Sequence, residues 1–243
     1  MRLASALLVG FLSVVASCAP VRRLPPPEGF ALVMTQSPVM DCSSGPCVPR
    51  VSLGSGSGTV LWHGKEGTWV LTAGHVCAGA RQPDGAMALL SSDGKMHHPL
   101  KWLSAIDPDL CIILTADKWG SPVRVSAVEP RWGDPVWSMA APRGVFMPGA
   151  PLLFSGTWSG RDQRGNVIVT MPCAPGSSGS SLLDNRGEIV GVVHSTSVKF
   201  QEIAIATRRE RVIDFINEAR RLMLGEERPA DDTDAETPDK LPL

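Results

Sequence analysis

Residues 175–180 read Pro-Gly-Ser-Ser-Gly-Ser, a run of small residues in which two glycines flank two serines. Glycine permits tight turns that other residues resist, so a turn here would expose the hydroxyl of Ser178. It would also direct the backbone N–H groups of Gly176 and Ser178 to one point, as an oxyanion hole requires. We therefore predict that Ser178 is a nucleophile, with Ser177 and Ser180 as the alternatives.

Two further segments supply the groups that such a serine needs. A hydroxyl is a poor nucleophile unless a base lies within hydrogen-bond reach and a third group orients that base. Residues 70–77 (VLTAGHVC) form an apolar strand that runs into His75, the candidate base. Residues 107–114 (DPDLCIIL) place Asp109 at the start of another apolar strand, where it would orient the base. Asp107 is the alternative, but only Asp109 directly precedes the strand.

In this order, the three segments resemble the catalytic motifs of the trypsin-like (chymotrypsin-fold) serine endopeptidases, especially the bacterial HtrA type. Residues 72–75 (TAGH) are similar to the T-A-A-H motif, Asp109 to the strand-leading aspartate, and residues 176–180 (GSSGS) to the G-x-S-G-G/S motif. Residues 54–58 resemble the family's glycine turn, and the similarity extends over roughly residues 50–220. It implies an all-β fold of two six-stranded antiparallel β-barrels with a C-terminal α-helix. The triad would lie in the cleft between the barrels.

The chain also departs from these relatives. Ser177 stands where trypsin-type zymogens carry an aspartate, and no Ile-Val-Gly-Gly activation site is present. The resemblance therefore implies activity without zymogen cleavage. HtrA proteins usually carry a PDZ domain after the protease, whereas we expect only a helix and a tail here.

Short apolar runs separated by turn residues predict the strands of these barrels. They lie at residues 31–36, 48–53, 59–62, 69–72, 86–90, 110–115, 136–140, 152–157, 167–171 and 189–194. The two barrels would divide at about residues 116–130. A capping box with Thr207 as N-cap predicts the C-terminal helix, whose apolar face carries Val212, Phe215, Ile216, Ala219 and Leu222. Gly225 would end that helix.

The sequences of the two ends of the chain do not predict folded structure. Residues 1–17 predict a signal peptide, and Cys18 after two small residues resembles a bacterial lipidation site. Residues 18–29 are a proline-rich linker, and residues 226–243 are an acidic, apolar-poor segment that we expect to be a solvated tail. The protease-like domain would then span residues 30–225.

Composition excludes several classes of protein. Of the 243 residues, 43% are apolar and 19% charged, which indicates a globular protein. The formal net charge of −1 gives no overall basic field to attract nucleic acid. The adjacent residues His97 and His98 have no cysteine or acid at ligand spacing, so we expect a solvated hairpin face rather than a metal site.

Export would make disulfides possible. Cys42 and Cys47 could close a small loop, and Cys77 and Cys111 could meet because each lies two residues after a predicted triad residue. Cys173 would then be left unpaired, close to the substrate pocket. With Cys18 lipidated, five cysteines remain, so other pairings stay open.

The resemblance places the primary substrate pocket between residues 172–175 and 192–196. The candidate lining residues are Cys173, Val193, His194 and Thr196. Neither segment contains an acid, so we expect a small or medium apolar side chain at the P1 position of the substrate. Glutamate-specific relatives place a histidine at the position of Val193, and strand alternation would turn His194 the other way, towards Asp109.

These observations together predict an exported serine endopeptidase that needs no cofactor or metal. Its partners would be protein or peptide substrates and not nucleic acid. It would meet a membrane only through a lipid on Cys18, in the cell envelope on the periplasmic or extracellular face. Two alternatives remain: a catalytically silent peptide-binding module on the same fold, and a viral or phage processing protease.

Overall fold

Two β-sheet units build the computed structural model, which describes Leu24 and residues 26–43, 45–197 and 200–225. The first unit has the strands β1 (Phe30–Asp41), β2 (Val48–His63), β3 (Thr68–Thr72), β4 (Ala86–Ser91), β5 (Met96–His97), β6 (Pro99–Ala105) and β7 (Leu110–Thr115). They form one antiparallel sheet in the order β5-β4-β1-β2-β3-β7-β6. The sheet curls so that its edge strand β6 contacts β4.

The second unit is a closed antiparallel barrel. Its strands are β8 (Pro135–Ala140), β9 (Leu152–Arg161), β10 (Val167–Thr170), β11 (Ser181–Leu183), β12 (Ile189–Thr196) and β13 (Ile203–Arg208). They pair in the order β10-β13-β12-β11-β8-β9. The predicted chymotrypsin-like fold class is confirmed, with the difference that the first half is a seven-stranded curled sheet. The additional strand is the two-residue β5 at its edge.

Two α-helices complete the described fold. The first, α1 (Gly74–Ala78), follows β3 directly, and the second, α2 (Arg209–Leu224), follows β13. Helix α2 ends at Gly225, which adopts the left-handed conformation (φ 71°) as predicted. None of the described helices is long and apolar enough to cross a membrane.

The predicted N-cap of α2 is wrong. Thr207 lies inside β13, where it pairs with Val192 and is buried, and Arg208 precedes the helix without a side-chain cap. Thr207 is therefore part of the strand that closes the barrel, and the helix begins only at Arg209.

Apolar residues form three buried clusters, one inside each unit and one between them. The third cluster includes Leu110 from the first unit, Ile189 and Val192 from the second, and Phe215 from α2. Helix α2 packs against strands of both units. Its buried residues are Val212, Phe215, Ala219 and Met223, so Leu222, which is 52% exposed, is not on the packed face as predicted.

The expectation for His97 is also wrong. Only His98 is exposed, whereas His97 is buried and its ring stacks on Trp119 with 4.4 Å between centroids. The described residues contain no group of three or more His, Cys, Asp or Glu side chains that could hold a metal.

The described residues contain two disulfides, Cys42–Cys47 at the tip of the β1–β2 hairpin and Cys77–Cys111 beside α1. Cys173 is free and buried. The predicted signal peptide, Cys18, most of the proline-rich linker and the acidic tail lie outside the described residues.

Candidate active site

His75 and Asp109 are brought together by the pairing of β3 with β7. The two strands are antiparallel, with Thr72 opposite Cys111, so the end of β3 and the start of β7 lie at one edge of the sheet. The His75 ring Nδ1 lies 2.7 Å from Asp109 Oδ2, and the His75 backbone N–H donates to Asp109 Oδ1 over 2.8 Å. The Cys77–Cys111 disulfide joins the same two segments two residues further on.

Asp109 is held as a carboxylate by these contacts. Burial would raise its pKa, but the hydrogen bonds and charge of His75 outweigh burial and keep the pKa of Asp109 below its ordinary value. The backbone at Gly74 has no room for a side chain, because a Cβ there would lie against the Ala105 carbonyl and 2.8 Å from Asp109 Oδ1.

The predicted nucleophile lies on a tight turn between β10 and β11. Gly176 and Gly179 adopt positive φ angles of 96° and 87°, which other residues rarely take. The Ser178 hydroxyl is half-buried and donates to the His194 carbonyl at 3.5 Å, a long hydrogen bond. Among the described residues, it makes no hydrogen bond to His75.

Two backbone N–H groups of this turn are unpaired. The N–H groups of Ser177, Gly179 and Ser180 donate to the carbonyls of residues 174, 193 and 177. Within the described part of the chain, the N–H groups of Gly176 and Ser178 have no such acceptor. A buried, unpaired N–H is rare in proteins and is available to a ligand oxygen.

The turn packs directly on the segment that carries His75. The Ser178 carbonyl accepts a hydrogen bond from the backbone N–H of Ser57 over 2.8 Å. A Cβ at Gly179 would meet the Thr72 hydroxyl and lie 2.9 Å from the Ala73 nitrogen. The turn that carries Ser178 therefore packs against residues 72 and 73, which directly precede Gly74 and His75.

The four candidate pocket residues do not share one surface. Val193 and Cys173 are buried in the barrel core, and the Thr196 hydroxyl donates to the Ile203 carbonyl over 3.0 Å. Burial raises the pKa of the Cys173 thiol, so it stays protonated at neutral pH.

His194 lies on the Asp109 side. It lines a cavity of about 410 Å³, whose walls are Ile106, Asp107, Pro108, Asp109, Arg164, Asn166, His194, Thr207 and Arg211. Burial lowers the pKa of His194, although the charge of Asp109 opposes that effect. A register shift in β12 at residues 193–195 accompanies this orientation.

One residue of the site was missed by sequence reasoning. Ser57 is fully buried, and its hydroxyl donates to the Gly176 carbonyl over 2.8 Å. Residues 54–58 predicted only a glycine turn, because the partner of Ser57 lies 119 residues away in sequence.

The family model of the trypsin-like peptidase domain matches residues 56–192. This range is more than half of the chain. The uncharacterized protein y4bJ of Sinorhizobium fredii is 29% identical over 184 residues, which are 72% of this chain and 28% of that protein. The chain thus spans little more than a quarter of this curated relative.

Solved structures share the fold. The HtrA-type protease AlgW, solved with a decapeptide, superposes with a TM-score of 0.62 at 22% identity, over 82% of this chain and 66% of that one. A serine endoprotease from Yersinia pestis gives a TM-score of 0.62 at 18% identity, over 83% of this chain and 65% of that one. At these identities the likeness shows the fold alone.

Proposed function

Because the chain belongs to the trypsin-like peptidase family, we propose that it is a serine endopeptidase with His75, Asp109 and Ser178 as its catalytic triad. One observation carries the proposal. His75 is hydrogen-bonded to Asp109, and the turn that carries Ser178 and two unpaired N–H groups packs against residues 72 and 73, just before His75. Such a combination serves acyl transfer, because it offers a base, a nucleophile and oxyanion donors in one place.

In the proposed reaction, the Ser178 hydroxyl turns from the His194 carbonyl to Nε2 of His75. The oxygen attacks the peptide carbonyl as His75 takes its proton, and the oxyanion accepts hydrogen bonds from Gly176 and Ser178 N–H. His75 then gives the proton to the leaving amine, and the C–N bond breaks to leave an acyl-enzyme. Water attacks the ester, His75 takes the water proton and returns it to Ser178 Oγ, and the acid product leaves.

Asp109 acts through His75. Its Oδ2 accepts from Nδ1–H and its Oδ1 from the backbone N–H of the same residue, so ring position and tautomer are fixed together. Nε2 is thereby kept free as the base, and the carboxylate stabilises the imidazolium that forms.

The proposed substrates are peptides with a small or medium apolar P1 residue. Support comes from residues 172–175 and 192–196, which contain no acid that would pair with lysine or arginine. A peptide library digested by the purified protein tests this preference. Apolar P1 residues are expected among the cleavage sites, whereas a dominant glutamate would overturn the preference.

Export and a lipid anchor are also proposed. Support comes from the apolar segment before Cys18 and from the two disulfides, since disulfides persist in oxidising compartments. Fractionation of cells tests it: the protein should be in the membrane fraction, and Cys18→Ala should lose the lipid mass on its N-terminal peptide. An unmodified Cys18 would contradict the anchor.

Active-site labelling decides the proposed activity. A fluorophosphonate probe should label Ser178, as mapped by mass spectrometry. Labelling should vanish in Ser178→Ala and fall strongly in His75→Ala, while Ser177→Ala controls for the neighbouring hydroxyl. If the folded protein is not labelled, the triad is not assembled for catalysis, and a silent peptide-binding module becomes the better reading.

A further inference from the structure

A single buried hydroxyl ties the proposed oxyanion turn to the other unit. We propose that Ser57 is a positioning residue, whose hydroxyl holds the Gly176 and Ser178 N–H groups in the orientation that stabilises the transition state. The inference rests on the proposed function and adds to it a residue outside the triad.

Ser57 uses every polar atom it has. Its N–H donates to the Ser178 carbonyl over 2.8 Å, and its carbonyl accepts from the Thr72 hydroxyl over 2.7 Å. Its hydroxyl donates to the Gly176 carbonyl over 2.8 Å and accepts from the Ala141 N–H over 2.9 Å. Since a carbonyl can only accept and an N–H can only donate, the direction of both hydroxyl bonds is fixed.

Two of these bonds bracket the oxyanion donor of Ser178. Gly176 O and Ser178 O lie on either side of the Ser177–Ser178 peptide, and Ser57 binds both. With its two flanking carbonyls held, this peptide and the N–H of Ser178 have little freedom to rotate.

The other donor is fixed through the turn at residues 141–143. The Pro175 carbonyl accepts from the Arg143 N–H over 2.5 Å. In a planar trans peptide the carbonyl and the following N–H point in opposite directions, so this bond directs the Gly176 N–H away from Arg143. The Ser57 hydroxyl also holds Ala141, at the start of the same turn, and so couples the two peptides.

The Ser57→Ala substitution removes only the hydroxyl. The backbone bond to Ser178 can remain, while the Gly176 carbonyl and the Ala141 N–H lose a partner in a site that is closed to water. The turn would then tolerate other orientations of the two donors. Because the bound substrate carries no oxyanion, whereas the transition state and the tetrahedral intermediate do, kcat should fall while KM changes little.

The experiment uses the full chain and a peptide identified as a substrate. For Ser57→Ala we expect kcat to fall about 10- to 100-fold with KM within about twofold, and fluorophosphonate labelling to slow in parallel. Ser126→Ala is the matched control. It also removes a buried hydroxyl that is hydrogen-bonded on both sides, but its partners are Val128, Asp184 and Arg186. Its kcat should equal that of the unaltered protein.

The outcomes are distinct. If the unaltered protein neither cleaves peptides nor reacts with the probe, the proposed function itself fails. If it reacts and Ser57→Ala retains the same kcat, or if KM alone rises, the positioning role is overturned. Should Ser57→Ala fail to fold, Ser57→Cys replaces it, because a thiol has nearly the same shape and a weaker donor. An unchanged kcat in that variant would also overturn the role.

Discussion

The Asp109→Asn substitution tests the His75–Asp109 pair with the smallest change of shape. The His75 backbone N–H donates to Oδ1 over 2.8 Å, so an asparagine must keep its oxygen at that position. Its NH₂ group then faces Nδ1 of His75, at the place where Oδ2 lies 2.7 Å away. Because an amide NH₂ only donates, Nδ1 must accept and the ring proton moves to Nε2. The base is blocked without any loss of packing.

Two energetic losses set the expected size of the effect. The imidazolium formed in the transition state loses a carboxylate about 4 Å from its charge centre, worth about 4 kcal/mol at the effective dielectric of a protein surface. Restoring the active tautomer against the NH₂ group costs about 1–3 kcal/mol more. Together they predict a loss of about 5–7 kcal/mol, or about 10⁴- to 10⁵-fold in rate.

The assay is the second-order rate of fluorophosphonate labelling, which needs no knowledge of the natural substrate. Asp107→Asn is the matched control, because Asp107 is 80% exposed and pairs with Arg211 over 2.7 Å. It should label at the normal rate, and both variants should keep the melting temperature within a few degrees of the original. If Asp109→Asn retained a tenth of the labelling rate, or if Asp107→Asn were the slower variant, the assignment of the acid would be refuted.

Two further predictions concern stability. The Cys77–Cys111 disulfide closes a loop of 34 residues and Cys42–Cys47 one of 5, so chain entropy predicts losses of about 3.7 and 2 kcal/mol when each pair is changed to alanine. Calorimetry should show a fall in melting temperature of about 8–15 °C for the first pair and clearly less for the second, and equal falls would contradict the loop-length argument. Because burial lowers the pKa of His194, the unfolded chain binds a proton below about pH 6.5 that the folded chain resists, and this part of the stability is lost as the pH falls. In urea titrations, the free energy of unfolding should therefore fall more between pH 7 and pH 5 for the unaltered protein than for His194→Gln. A difference between the two proteins that stays constant with pH would exclude this contribution.

The sequence was most informative where function is built from local motifs. A strand that runs into His75, an acid before an apolar strand and a glycine-flanked serine each follow from a few adjacent residues. The structure joins His75 to Asp109 and packs the Ser178 turn against residues 72 and 73, and the disulfide pairs considered for the cysteines both form. Local signals sufficed because each of these elements has its geometry set by its own neighbours.

Prediction failed where distant segments compete for a residue. Thr207 has the sequence of a helix cap, but closing the barrel requires it in β13 opposite Val192. His97 has the polarity of a surface residue, but strand alternation turns it inwards onto Trp119 while His98 points outwards. Neither outcome is encoded in the local pattern, because the decisive partner is far away in sequence.

The division of the site between the two units explains why Ser57 matters. His75 and Asp109 belong wholly to the first unit, where strand pairing and a disulfide hold them together. Ser178 belongs to the second unit, so its alignment with them depends on how the units dock. The apolar cluster that α2 shares with both units holds the units together. Because burial of apolar surface is not directional, this cluster does not set the orientation of individual groups at the site. The Ser57 hydrogen bonds are directional, and they act at the turn that must be aligned. Disturbing the cluster should therefore lower stability first, whereas disturbing Ser57 should lower kcat first.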